Sequence, residues 1–60
     1  MCLIIGKAYQ VCDGETTVSA YLLSIAPGVY RFRSAQDELE FVVYQTDLDT
    51  GTFSLQPLPE

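Results

Sequence analysis

The chain has 60 residues, with eight acidic side chains against three basic ones and no histidine, so its formal charge at neutral pH is −5. A chain of this length forms one small domain, here residues 1–60, near the lower size limit at which a hydrophobic core alone holds a fold. The absence of histidine excludes enzymes that need a histidine base or ligand, and the acidic balance argues against direct binding to nucleic acid or to an anionic membrane.

The first segment, from Cys2 to Cys12, is predicted to be one long strand that bends near Gly6. Within one strand the two cysteines would lie about 33 Å apart. A disulfide needs Cα atoms within about 7 Å, so we expect two reduced, packed thiols without a redox or metal role. The apolar stretch at residues 1–5 is too short for a signal sequence or a membrane span, which predicts a cytoplasmic protein.

The segment from Thr16 to Ile25 fits two templates. Its apolar residues have the i, i+3, i+4, i+7 spacing of a helix: Val18, Tyr21, Leu22 and Ile25. Its β-branched start favours a strand instead. The following Ala26-Pro27-Gly28-Val29 then matches a type II turn, with proline second and glycine third. We favour the strand.

Three later segments alternate apolar and polar side chains, as half-buried strands do. Their expected inner residues are Tyr30 and Phe32; Leu39, Phe41 and Val43; and Phe53 and Leu55. Pro57 has no N–H to donate, so the last strand must lie at an edge or end there. If the inner faces match, a four-residue loop pairs Arg33 with Glu40. A two-residue loop pairs Arg33 with Glu38 and Arg31 with Glu40.

These elements predict an all-β fold. Five antiparallel strands would form a meander that curls into a small, partly open barrel, an architecture of the SH3-like or Tudor-like kind. The alternative is an α+β fold in which one helix, at about residues 15–26, packs on a four-stranded antiparallel sheet.

The nearest approach to a metal motif is the stretch Asp47–Gly51. It lacks the oxygen ligand, glycine and glutamate that an EF-hand loop needs at its fifth, sixth and twelfth positions. We interpret it as a hairpin loop in which Gly51 takes a positive φ. No phosphate loop, nucleophile elbow or CxxC motif is present. The sequence therefore predicts a non-enzymatic protein without a cofactor or metal.

Two surface features are candidate partner-binding sites. In an up-and-down meander the first and third turns lie at the same end of the sheet, which would gather four carboxylates there: Asp13, Glu15, Asp37 and Glu38. The second feature is the outer face of the fourth strand, where Val42 and Tyr44 would lie beside Arg31 and Val29. Tyrosine and arginine are frequent among the residues that dominate interface energies.

We predict from these features a small acidic module that regulates or inhibits a larger protein, with a basic or nucleic-acid-binding protein as the partner. Its size and charge suit phage-type (viral) anti-defence inhibitors, of which DNA mimics are the extreme form. The alternative is an accessory or structural subunit of a constitutive complex or homodimer, held by an apolar interface. Docking through the acidic end would weaken steeply with salt, whereas an apolar interface would not.

Overall fold

Five strands and one short helix make up the fold over residues 3–58, the part of the chain that the computed structural model describes. The prediction about Cys2 lies outside these residues. In chain order the elements are β1 (Ala8–Cys12), β2 (Thr17–Ala26), β3 (Val29–Ser34), β4 (Glu40–Tyr44), α1 (Gln45–Thr50) and β5 (Ser54–Pro57).

The strands form one antiparallel sheet in the order β4-β3-β2-β1-β5. The first four follow one another as a meander, and β5 then returns to the far side of β1. Strands β4 and β5 are the two edges, so the sheet does not close on itself. The predicted all-β, five-stranded, partly open architecture is confirmed.

Residues 17–26 form the long central strand β2, as predicted, and not the helix of the alternative fold. The two-residue turn at Pro27 and Gly28 joins it to β3, and Gly28 has the positive φ of 76° that a type II turn requires at its third residue. The register shifts between Leu22 and Ser24. Such a bulge increases the twist of a strand, so it helps the sheet to curl around its inner face.

The core lies on one face of the sheet, the inner face, and every strand contributes to it. Its buried apolar residues are Tyr9, Val11, Ala20, Leu22, Phe32, Val43 and Leu55. Phe32 is at the centre: its ring meets Tyr9 edge-on, with centroids 6.4 Å apart, and stacks on Phe41 at 5.7 Å. The predicted inner residues Tyr30, Phe32, Phe41, Val43, Phe53 and Leu55 belong to this core or pack against it, whereas Leu39, also predicted to face inward, is exposed.

The first strand begins at Ala8, which corrects the prediction of a strand from Cys2. The chain turns at Gly6, whose φ of 90° is outside the range of a regular strand. The Lys7 N–H donates to the Ile4 carbonyl at 3.2 Å, and the Gly6 N–H donates to the Leu22 carbonyl at 2.7 Å. This turn leaves only the half after Gly6 to pair as β1.

The interpretation of Asp47–Gly51 as a hairpin loop is wrong, because most of it lies in the helix α1. A hairpin would place β5 beside β4, but β5 pairs with β1 and begins opposite Cys12. The chain must therefore cross the open side of the sheet, and it does so as a short helix with Leu48 packed against the core. Gly51 ends the helix with a φ of 83°. The positive φ predicted for Gly51 is therefore confirmed.

The register of β3 and β4 places Arg33 opposite Glu40, which confirms the pairing expected for a four-residue loop. Glu40 also lies diagonally across from Arg31. Its carboxylate is 3.6 Å from Arg31 Nε and 3.8 Å from Arg33 Nη2. These side chains are half exposed, and such surface pairs contribute only about 0–1 kcal/mol.

Candidate functional site

The two turns that carry the predicted acids lie at the same end of the sheet, since β1–β4 run alternately up and down. We call this the acidic end, and its carboxylates are Asp13, Glu15, Asp37 and Glu38. All four residues are exposed. The carboxylates of Asp47 and Asp49 lie apart from them in α1.

Asp13 builds the turn between β1 and β2. Its Oδ1 accepts the N–H groups of Glu15 at 3.0 Å and Thr16 at 2.8 Å, and the Thr16 hydroxyl lies 3.2 Å from the same oxygen. These donors favour the ionised carboxylate, so the Thr16 N–H first and the Glu15 N–H second lower the pKa of Asp13 below its ordinary value of 3.8. Asp13 therefore holds the β1–β2 turn together, and Glu15 supplies the other carboxylate that this turn exposes.

The lowered pKa of Asp13 predicts that part of the stability of the fold is lost in acid. A carboxylate whose pKa is depressed in the folded state stabilises the fold above its unfolded pKa, and that contribution is lost as the pH falls through the folded pKa. We expect Asp13→Asn to be less stable than the wild type at pH 7, and the difference to shrink at pH values well below 3.8. Thermal unfolding of both proteins between pH 2 and pH 7 measures this difference in stability.

Asp13→Ala is the control for this experiment. It removes the hydrogen-bond acceptor as well as the charge, so its deficit should persist at pH 2. Parallel stability curves for the wild type and Asp13→Asn would contradict the assignment.

The turn between β3 and β4 is held by short-range hydrogen bonds. Asp37 Oδ1 accepts the Leu39 N–H at 3.1 Å, and the Glu38 N–H donates to the Ser34 carbonyl at 3.0 Å. Glu38 has a φ of 60°, in the left-handed region that residues other than glycine seldom adopt. The turn leaves Leu39 66% exposed, the highest exposure among the large apolar residues that the structure describes.

Between the two turns the inner face of the sheet opens to solvent in two adjoining depressions of about 170 and 300 Å³. Both are lined by Val18 and Phe41. Asp13 borders the first, and Asp37 with Leu39 borders the second. We call this region the acidic mouth: an apolar floor of Val18, Leu39 and Phe41 between the carboxylates of Asp13 and Asp37.

The sequence predicted the acids of this site but not its floor. Leu39 and Phe41 were expected to lie in the core, because their alternation with Glu40 marks them as inner-face residues. The structure shows that the inner face extends beyond the buried core at this end, where Leu39 is exposed and Phe41 is half-buried. Alternation identifies the face of a residue, and not how far the core reaches along the strand.

The outer face of β4 is arranged as predicted. Val42 lies opposite Arg31, and Tyr44 lies opposite Val29. Val42 is 41% and Tyr44 49% exposed. The sequence reasoning missed Tyr21 on β2, which lies opposite Arg33 and is also exposed.

A cavity of about 390 Å³ lies between α1 and β5 and is open to solvent. On its polar wall the Tyr30 hydroxyl donates to Gln45 Oε1 at 2.5 Å, and Gln45 Nε2 donates to Asp49 Oδ1 at 2.9 Å. Leu48 and Phe53 are among its apolar walls. The Tyr30–Gln45 hydrogen bond joins β3 to α1, and the Gln45–Asp49 hydrogen bond lies within α1. The first of them holds the helix against the open side of the sheet.

Cys12 is a half-buried thiol at the acidic end of β1. The Gly14 N–H and then the Thr17 hydroxyl lower the pKa of Cys12. Among residues 3–58, no group of three or more Cys, Asp or Glu side chains is placed to hold a metal ion.

The helix in the described part of the chain is too short to cross a membrane. Comparison with protein-family models, with curated proteins and with solved structures found no match to this chain.

Proposed function

We propose that this protein is a non-enzymatic binding module that docks on a basic segment of a larger protein through its acidic mouth, and thereby regulates or inhibits that protein. The observation that carries the proposal is the placement of Asp13 and Asp37 at the border of one exposed apolar floor. Carboxylates attract a basic segment and fix its position, while an apolar floor accepts a side chain from it.

Charge balance supports a basic partner. Within residues 3–58 both ion pairs involve Glu40, so no arginine or lysine forms an ion pair with the carboxylates of the acidic end. Two of the three basic residues of the chain, Arg31 and Arg33, are held on the outer face of the sheet by that same glutamate. A basic surface is also what binds nucleic-acid phosphates. The DNA-mimic and anti-defence hypotheses therefore remain special cases of this proposal.

Binding of basic peptides to matched charge variants tests the proposal. The probes are lysine- and arginine-rich peptides that each carry one central leucine, phenylalanine or tryptophan. The test variant Glu15→Gln/Asp37→Asn neutralises one carboxylate on each turn and keeps an acceptor for the Leu39 N–H. The control Asp47→Asn/Asp49→Asn removes the same charge from α1.

We expect the test variant to bind the best peptide about tenfold more weakly at low salt, and the control to bind it like the wild type. Titration calorimetry at 50 and 300 mM salt measures both, and the difference should shrink at the higher salt because screening weakens exposed charge contacts. Equal losses in the two variants, or equally tight binding of acidic peptides, would overturn the proposal.

A further inference from the structure

The outer edge of β4 is a free sheet edge in the part of the chain that the structure describes. β4 is the last strand in the sheet order, paired on one side with β3. Two hydrogen bonds fix which of its residues face β3: the Ser34 N–H donates to the Leu39 carbonyl at 2.8 Å, and the Gln45 N–H donates to the Gly28 carbonyl at 3.0 Å. Odd-numbered residues of this segment therefore bond to β3.

The even-numbered residues of β4 present their backbone groups to the other side. In an antiparallel pair, residues alternate between bonding to the partner and pointing away from it. The N–H and carbonyl groups of Glu40 and Val42, and the N–H of Tyr44, are thus directed away from the sheet. They form a short row of donors and acceptors beside the exposed Val42 and Tyr44 side chains.

The two edges of the sheet differ in how they are protected. β5 ends in Pro57, which has no N–H and blunts the edge against a further strand. The sequence of β4, Glu-Phe-Val-Val-Tyr, contains no proline or lysine, and its register with β3 has no bulge. The edge of β4 is therefore the one open to pairing.

We propose that an extended basic segment of the partner adds to this edge as a sixth, antiparallel strand. This inference rests on the proposed function and specifies how the basic segment of the partner is bound. The turn that carries Asp37 and Glu38 leads directly into β4, so a strand beside β4 ends next to these carboxylates. Because the added strand runs antiparallel to β4, its basic residues belong at its C-terminal end.

Charge argues against a second copy of this chain as the added strand. Two copies paired antiparallel about Val42 would bring the Asp37 turn of each against the α1 of the other, where Asp47 and Asp49 lie. Each copy carries a formal charge of −5. Like charges placed close together across an interface are unfavourable, whereas a segment with basic residues at its C-terminal end neutralises the carboxylates of Asp37 and Glu38.

A pair of synthetic peptides tests for the strand. The probe is the blocked octapeptide Thr-Val-Thr-Val-Thr-Lys-Arg-Lys, and its control carries N-methyl groups on the first five residues. Both have the same side chains and charge, but the five methylated amides of the control cannot donate backbone hydrogen bonds to β4. We expect calorimetry to show at least tenfold weaker binding of the N-methylated peptide.

Val42→Pro makes the complementary change in the protein. It removes an N–H that points away from β3, so we expect β4 to keep its pairing in the sheet. Circular dichroism checks that the variant is folded. We expect about tenfold weaker binding of the probe, while Val42→Ala, which keeps the N–H, binds within about threefold of the wild type. If Val42→Pro does not fold, the N-methylated peptide still decides the question.

The outcomes separate this inference from the proposed function. If the N-methylated peptide binds as tightly as the probe, and Glu15→Gln/Asp37→Asn weakens both, strand addition is overturned and acidic docking stands. If neither this probe nor the other basic peptides bind the wild type, both proposals fail. If sedimentation shows a dimer of the wild type that Val42→Pro dissociates, the edge pairs with a second copy and the assignment to a partner is overturned.

Discussion

Phe32→Ala is expected to remove most of the stability of the fold. Phe32 is 0% exposed and contacts the rings of Tyr9 and Phe41. Truncating a buried phenylalanine costs about 3–5 kcal/mol. Typical stabilities of about 0.05–0.15 kcal/mol per residue amount to about 3–9 kcal/mol for a chain of this length. The loss therefore removes most of the stability, and far-ultraviolet circular dichroism during thermal unfolding measures it.

Leu39→Ala is the control, because it truncates a large apolar side chain at an exposed position. Exposed substitutions usually change stability by less than about 0.5 kcal/mol. For a domain of this size that corresponds to a shift of a few degrees at most. A comparable loss of stability in both variants would mean that the core does not lie where the structure places it.

The second large effect concerns two neighbouring residues of β4. Val43→Asp is expected to abolish folding at neutral pH, whereas Val42→Asp is expected to change stability by only a few tenths of a kcal/mol. Val43 is 0% exposed and faces the core, while Val42 is 41% exposed on the opposite face. A carboxylate at position 43 would be buried without a partner, and at position 42 it remains in water.

The dispersion of amide signals in a two-dimensional NMR spectrum distinguishes these outcomes. The wild type and Val42→Asp should give dispersed spectra, and Val43→Asp a collapsed one. The opposite result would show that β4 is shifted by one residue, since such a slip exchanges the two faces of a strand.

Much of this fold can be predicted from alternation and turn residues. Pro27 and Gly28 define a turn on their own, and the Arg33–Glu40 pairing follows once the inner faces of β3 and β4 are assigned. These features depend on residues close in sequence. They needed no information about distant parts of the chain.

The errors occur where distant residues decide the structure. The segment at Asp47 forms a helix because β5 pairs with β1, and nothing within the segment reveals which strand will follow. The turn at Gly6 keeps β1 from beginning before Ala8, although the flanking residues Ile4 and Ile5 have strong strand propensity. At the candidate site the acids could be placed from the turn order, but the exposed floor depends on how far the core extends.

The return of β5 to β1 also bears on the order in which the fold assembles. The pairings β1–β2, β2–β3 and β3–β4 each join strands that are adjacent along the chain. The pairing β1–β5 instead joins Tyr9 to Pro57, which are separated by most of the chain. Closing a longer loop costs more chain entropy. The three hairpins can therefore form early and locally, and the addition of β5 with Leu55 is the late step that completes the core.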